Sequence, residues 1–190
     1  MYFPEDMTFQ YFFFDTYPGY FLQVLPFALA AGGLYVFCHT RRDRRIPIGQ
    51  AVSSALFICY LVALLCLTLL HTLIGSMYYE LFYHMDSGNR IPWFTFEFYL
   101  IPDSWHNLSS ESIGNILLFL PFGILYPLFR KDSGWIRTLL FGIGISLAIE
   151  LHQPVFGRSF DINDIILNEI GVLVSTALYY GCRLLVTGRG

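Results

Sequence analysis

The sequence predicts an all-α fold: a polytopic membrane bundle of about five transmembrane helices, with the N-terminus outside and the C-terminus in the cytoplasm. Three observations carry this. Of the 190 residues, 55% are hydrophobic and only 13% are charged, against about a quarter charged in an ordinary soluble domain. Five apolar stretches approach the roughly 20 residues that a helix needs to cross a bilayer. The basic residues fall almost entirely on one side of those stretches. The length suits a single membrane domain, residues 1–190, with no separate soluble domain.

The first span is expected at about 20–38. The acidic residues Glu5, Asp6 and Asp15 precede it with no basic residue among positions 1–16. That is the wrong charge for the n-region of a cleaved signal peptide, so this span is expected to remain in the protein. The second span is expected at about 51–74. The third, at about 113–129, carries Pro121 and Pro127, and a kink is expected near Pro121, since membrane helices accept proline when neighbours satisfy the freed carbonyls. The fourth and fifth spans are expected at about 136–151 and 164–186.

Orientation follows from lysine and arginine placement. Arg41, Arg42, Arg44 and Arg45 follow the first span; Arg130, Lys131 and Arg137 separate the third and fourth; Arg183 and Arg189 close the chain. These are nine of the eleven basic residues, and they assign their side to the cytoplasm. Only Arg90 and Arg158 fall on the other side. An external loop of about 75–112 results. Its aromatic residues include Tyr78, Tyr79, Phe82, Tyr83, Trp93, Phe94, Phe96, Phe98, Tyr99 and Trp105, a composition suited to the headgroup region.

The cysteines, Cys38, Cys59, Cys66 and Cys182, lie in or beside apolar segments without a C-x-x-C pair, and read as small buried hydrophobes rather than disulfide or zinc ligands. His71, His84 and His106 share no ligand spacing. No nucleic-acid partner is expected.

Function is concentrated in residues 150–171, where Glu150, Gln153, Arg158, Asp161, Asp164, Asn168 and Glu169 stand between two apolar runs. Charge costs roughly 2.5–3.5 kcal/mol per residue at a span centre and less near its ends, so such a density needs a reason. On a helix beginning near Asp161, residues 161, 164, 168 and 171 share one face, and Gly171 leaves room for a neighbouring helix. Glu150 and Gln153 close the fourth span, and Asn115 opens the third. Three helix ends can therefore meet in one external pocket. Glu169 faces off this stripe and stands deeper in its span.

The residue types leave three roles open. Arg158 could clamp a phosphate or carboxylate, with Asn115, Gln153 and Asn168 donating or accepting hydrogen bonds. Asp161 and Asp164, with Glu150, could hold a divalent cation against a diphosphate. The set could also be an interhelical network in which Arg158 pairs with an aspartate, although interhelical hydrogen bonds in membranes average only about 0.6 kcal/mol.

Three segments resemble the VanZ-like family of bacterial membrane proteins: Asn115 to Gly123, Glu150 to Gln153, and Arg158 to Gly171, in the family's order and spacing. The similarity covers about residues 50–186. It implies a multi-pass protein of the bacterial cytoplasmic membrane, linked to teicoplanin or lipoglycopeptide resistance, and supplies no mechanism. The leading expectation is a protein that binds a membrane lipid headgroup or a cell-wall precursor at the external pocket, with a lipoglycopeptide as a further candidate partner. One alternative is a metal-dependent enzyme acting on a phosphorylated polyprenyl lipid, with Glu150 as base. Another is an accessory subunit that docks a partner through the aromatic loop.

Overall fold

A computed structural model describes residues 8–42, 47–85, 94–95, 97–102, 110–131 and 133–187. A short helix α1 (Phe9–Asp15) leads into α2 (Tyr17–Arg42). Helix α3 (Ile48–Leu65) passes through a π-helical turn, Cys66–Leu70, into α4 (His71–Tyr83). After a two-residue strand β1 (Phe98–Tyr99) come α5 (Ser110–Phe129), α6 (Trp135–His152), a 3₁₀ turn Gln153–Phe156, strand β2 (Phe160–Asp161) and α7 (Ile162–Thr187). Five helical segments are long and apolar enough to cross a membrane: 17–41, 48–83, 111–129, 135–156 and 162–185.

The second of these is longer than the sequence suggests. Its 36 residues make about 54 Å at 1.5 Å per residue, against a hydrocarbon core of about 30 Å, so the last turns reach beyond that core. Residues 75–83, expected in the external loop, are helical and end at His84, whose left-handed backbone (φ 52°) closes the helix through an N–H bond to the Glu80 carbonyl. Tyr78, Tyr79, Phe82 and Tyr83 pack there against Phe9, Phe13 and Phe14 of α1. Local hydropathy missed this extension because its stability comes from tertiary aromatic contacts, not from lipid-seeking residues.

Burial runs in the sense that a lipid solvent demands. Thr138, Ser146, Ser175 and Glu150 are essentially inaccessible, while Leu29, Leu140, Leu147 and Leu178 face outward. The apolar core joins Phe57 and Leu64 of α3, Phe119, Phe122 and Tyr126 of α5, Ile149 of α6 and Val172 of α7. Contacts give each helix its direction. Gly32 of α2 meets Cys59 of α3, and Val24 meets Cys66 and Ile74, so these two segments run antiparallel. Ser53 and Tyr60 donate to the carbonyls of Leu128 and Leu118, which sets α3 antiparallel to α5. The Tyr60 bond falls three residues before Pro121, and α5 continues helical through both of its prolines.

Helices α5 and α7 run parallel and in close approach. A Cβ at Gly171 would collide with the Ile116 carbonyl, and one at Gly123 with Ser175 and the Thr176 backbone. Small residues at both positions let the two backbones touch. Helix α6 lies antiparallel to α7, with Ser146 bonded to Asn168 and the Ser133 carbonyl to the Tyr180 hydroxyl. One end of the bundle therefore gathers the starts of α2, α5 and α7 with the ends of α4 and α6. Arg41, Arg130, Lys131, Arg137 and Arg183 sit at the opposite end. Arg44, Arg45, Arg90 and Arg189 lie outside the described residues, as do Trp93, Phe96 and Trp105 of the loop.

All four cysteines are free. Only Cys66 is buried, whereas Cys38 and Cys182 are exposed, because both lie near helix ends on faces that no neighbouring helix covers.

Candidate functional site

The site is built where α6 turns back into α7. The 3₁₀ turn after α6 stops at Gly157, whose φ of 77° is costly for any residue with a Cβ. The reversal is locked by the Arg158 N–H, which donates to the Gln153 carbonyl at 3.1 Å. Gln153 itself is buried.

Helix α7 begins at Ile162, one residue later than the spacing predicts, and Asp161 sits before its first turn rather than within it. Its Oδ1 accepts from the Asn163 N–H at 2.8 Å and from the Asn163 side-chain amide at 2.9 Å. This is an N-cap, which offsets one of the unsatisfied donors at a helix start. The Asp161 N–H in turn donates to Glu150 Oε2 at 3.1 Å, so a carboxylate that is 1% exposed holds the start of α7 against the end of α6. One turn on, the Asp164 carboxylate accepts a hydrogen bond from Asn115 of α5. Asn115, Glu150, Asp161 and Asp164 thus meet from three helices.

Arg158 stands beside them, within electrostatic range of both Glu150 and Asp164. Its Nη1 donates instead to the Thr68 carbonyl, at 3.3 Å, on the π-helical turn of the opposite wall. Among the described residues it makes no ion pair within 4.0 Å, so the expected pairing of Arg158 with an aspartate is not what ties the helices. Asn168 lies deeper and is buried, its amide donating to Ser146 Oγ at 2.9 Å. It braces α7 against α6 rather than facing the charged group.

The aromatic loop reaches this place. The Thr95 N–H donates to the Pro154 carbonyl and the Phe160 N–H to the Glu97 carbonyl, both at 3.0 Å. Strand β1 pairs in parallel with β2, Phe98 beside Phe160 and Tyr99 beside Asp161. This pair is a small departure from an all-helical chain. Between loop and helix start opens a cleft of about 500 Å³, lined by Phe98, Tyr99, Leu100, Ile101, Asp161 and Asn163. It has an apolar edge and a polar floor. Among the described residues, no three His, Cys, Asp or Glu side chains form a group able to hold a metal ion, so the cation expected at Asp161 and Asp164 finds no third ligand of these types there.

A family model described as VanZ/LLP1 matches residues 57–185, more than half of the chain and every residue of the site. The chain belongs to the VanZ/LLP1 family. It is also 29% identical over 137 residues to Protein VanZ of Enterococcus faecium, a similarity covering 70% of this chain and 76% of that protein. No solved structure matches the chain.

This VanZ/LLP1 chain also brings residues to its site that sequence reasoning passed over. Thr68 contributes only a carbonyl, which no side-chain pattern reveals. His71, one turn beyond it, lies within electrostatic range of Arg158. Its Nδ1 is buried with no partner among the described residues, while its Nε2 lies 3.3 Å from Thr72 Oγ1. Such π-turns recur at functional sites, but they have no reliable sequence signature. Away from the site, Glu169 places its buried Oε2 near the Gly142 backbone, again with no hydrogen-bond partner among the described residues.

Proposed function

We propose that this VanZ/LLP1 protein is a multi-pass protein of the bacterial cytoplasmic membrane whose outer polar site binds a lipid headgroup or a lipid-linked cell-wall precursor. By occupying that target it lowers the access of a lipoglycopeptide such as teicoplanin. The observation that carries the reading is the placement of the site. Glu150, Arg158, Asp161 and Asp164 converge at the end of the bundle away from Arg41, Arg130, Lys131, Arg137 and Arg183, and lysine and arginine mark the cytoplasmic side. The site is therefore external, where glycopeptides act. The cleft beside it, which it shares through Asp161, combines Asp161 and Asn163 with Phe98, Leu100 and Ile101, which suits a ligand that is polar at one end and apolar at the other.

Two measurements test this. In intact cells, a membrane-impermeant maleimide reaches Asn163→Cys, whereas the native Cys182 at the basic end is labelled only after permeabilisation; the reverse pattern overturns the external assignment. Expression in a teicoplanin-sensitive Gram-positive host raises the inhibitory concentration of teicoplanin. An unchanged value with confirmed membrane insertion removes the resistance role.

A further inference from the structure

The charged groups of the site are held apart in a way that selects a class of ligand. Arg158 and the carboxylates of Glu150, Asp161 and Asp164 are neighbours, yet no ion pair forms between them. Each carboxylate is anchored on its own helix frame: Asp161 caps α7, Asp164 takes the Asn115 amide, and Glu150 takes the Asp161 N–H. Arg158 is drawn to the facing wall by the Thr68 carbonyl. That bond uses one of five guanidinium donors, and each carboxylate has about four acceptor sites, so both sides keep capacity for a ligand. His71, one turn along from Thr68, adds a ring nitrogen with no partner among the described residues.

A bare phosphate on Arg158 would face three carboxylates, and a bare amine at the carboxylates would face Arg158. A ligand carrying both charges converts each repulsion into an attraction. We propose that the ligand is zwitterionic, with a phosphate seated on Arg158 and His71 and a primary ammonium seated on Asp161 and Asp164. This rests on the headgroup-binding reading and sharpens it to the phosphate–ammonium class. The fixed separation of the charges is preorganisation: the site does not have to break an internal ion pair to bind. The apolar edge at Phe98, Leu100 and Ile101 then takes the first carbons of attached chains.

The test uses the full chain purified in dodecyl maltoside, a detergent with neither charge. Binding is measured for dihexanoyl phosphatidylethanolamine, for its N-acetyl derivative, which keeps the phosphate and loses the ammonium, and for free O-phosphoethanolamine. The native protein is expected to bind the amine form at least tenfold more tightly than the N-acetyl form. Asp164→Asn, which can still accept from Asn115, brings that ratio close to one. Arg158→Gln abolishes binding of both forms, Arg158→Lys gives an intermediate loss, and His71→Gln weakens both forms alike. Thermal unfolding of each variant confirms that it is folded.

Equal native affinity for the two lipid forms overturns the zwitterion and leaves headgroup binding standing. Failure to bind either form also overturns the zwitterion, and the teicoplanin assay then decides the headgroup-binding reading separately. Free phosphoethanolamine that binds with the same dependence on Arg158 and Asp164 supports the pairing, as a soluble ligand if its affinity equals the lipid's and as a lipid headgroup if it is weaker. Binding that ignores both residues overturns it.

Discussion

Gly171→Ala perturbs the contact between α5 and α7 directly. The new Cβ would collide with the Ile116 carbonyl and lie 3.3 Å from Phe119 Cβ, and a backbone atom cannot swing aside as a side chain can. Overpacking of this kind costs about 1–3 kcal/mol. A second alanine variant isolates the effect. Gly144 lies in α6 with nothing within 4 Å of the place a Cβ would take, so Gly144→Ala gains up to about 1 kcal/mol of helix propensity without a clash. Both variants share that gain, and the difference between them is the clash alone. For 190 residues, at about 2–4 °C per kcal/mol, Gly171→Ala should unfold about 2–12 °C below Gly144→Ala. The assay is thermal unfolding of the two purified variants in the same detergent. Asn115 adjoins Ile116, so pushing α5 away also loosens the Asn115–Asp164 bond and weakens ligand binding. Equal midpoints for the two variants would refute the close α5–α7 approach and the three-helix site built on it.

Asp161→Ala removes the cap of α7 and should cost about 1 kcal/mol, whereas Asp161→Asn keeps a capping oxygen and stays near native stability; unfolding midpoints separate them. Ser146→Ala strands the buried Asn168 amide and should cost about 1–3 kcal/mol, with recovery when Asn168→Leu is added to it. Tyr60→Phe removes the donor to the Leu118 carbonyl beside Pro121 and should cost about 1 kcal/mol, read from the same midpoints. In hydrogen exchange, the Thr95 and Phe160 amides should be protected by their bonds to Pro154 and Glu97; rapid exchange at both would show that the aromatic loop does not dock on the site.

Much of the architecture was legible in the chain because a membrane imposes strong rules. Long apolar runs gave the five spans, and Gly171 on the stripe with Asp164 and Asn168 signalled a close helix neighbour, which the structure supplies as Ile116. The gathering of Asn115, Glu150 and Asp164 was readable for a similar reason: polar residues at span ends face one another rather than lipid. What was not legible depends on backbone and on tertiary contact. Asp161 reads equally well as a helical residue or as its cap. Residues 75–83 continue as helix because α1 covers them with aromatic rings. The Thr68 carbonyl and the β1–β2 pairing leave no side-chain trace, so neither Thr68 nor His71 stands out in the chain as the wall opposite Arg158. Asn168 shares the stripe but stands one turn too deep, where Ser146 claims its amide.

On the proposed reading, the charges of Arg158 and Asp164 act on a ligand rather than merely hold the helices together. Arg158→Gln and Asp164→Asn test it most directly when each is expressed in a teicoplanin-sensitive host at native abundance, with an unfolding midpoint close to the native one, and the teicoplanin inhibitory concentration is measured. Both variants should lose the protection given by the native chain. Full protection by both, from folded protein in the membrane, would contradict the claim.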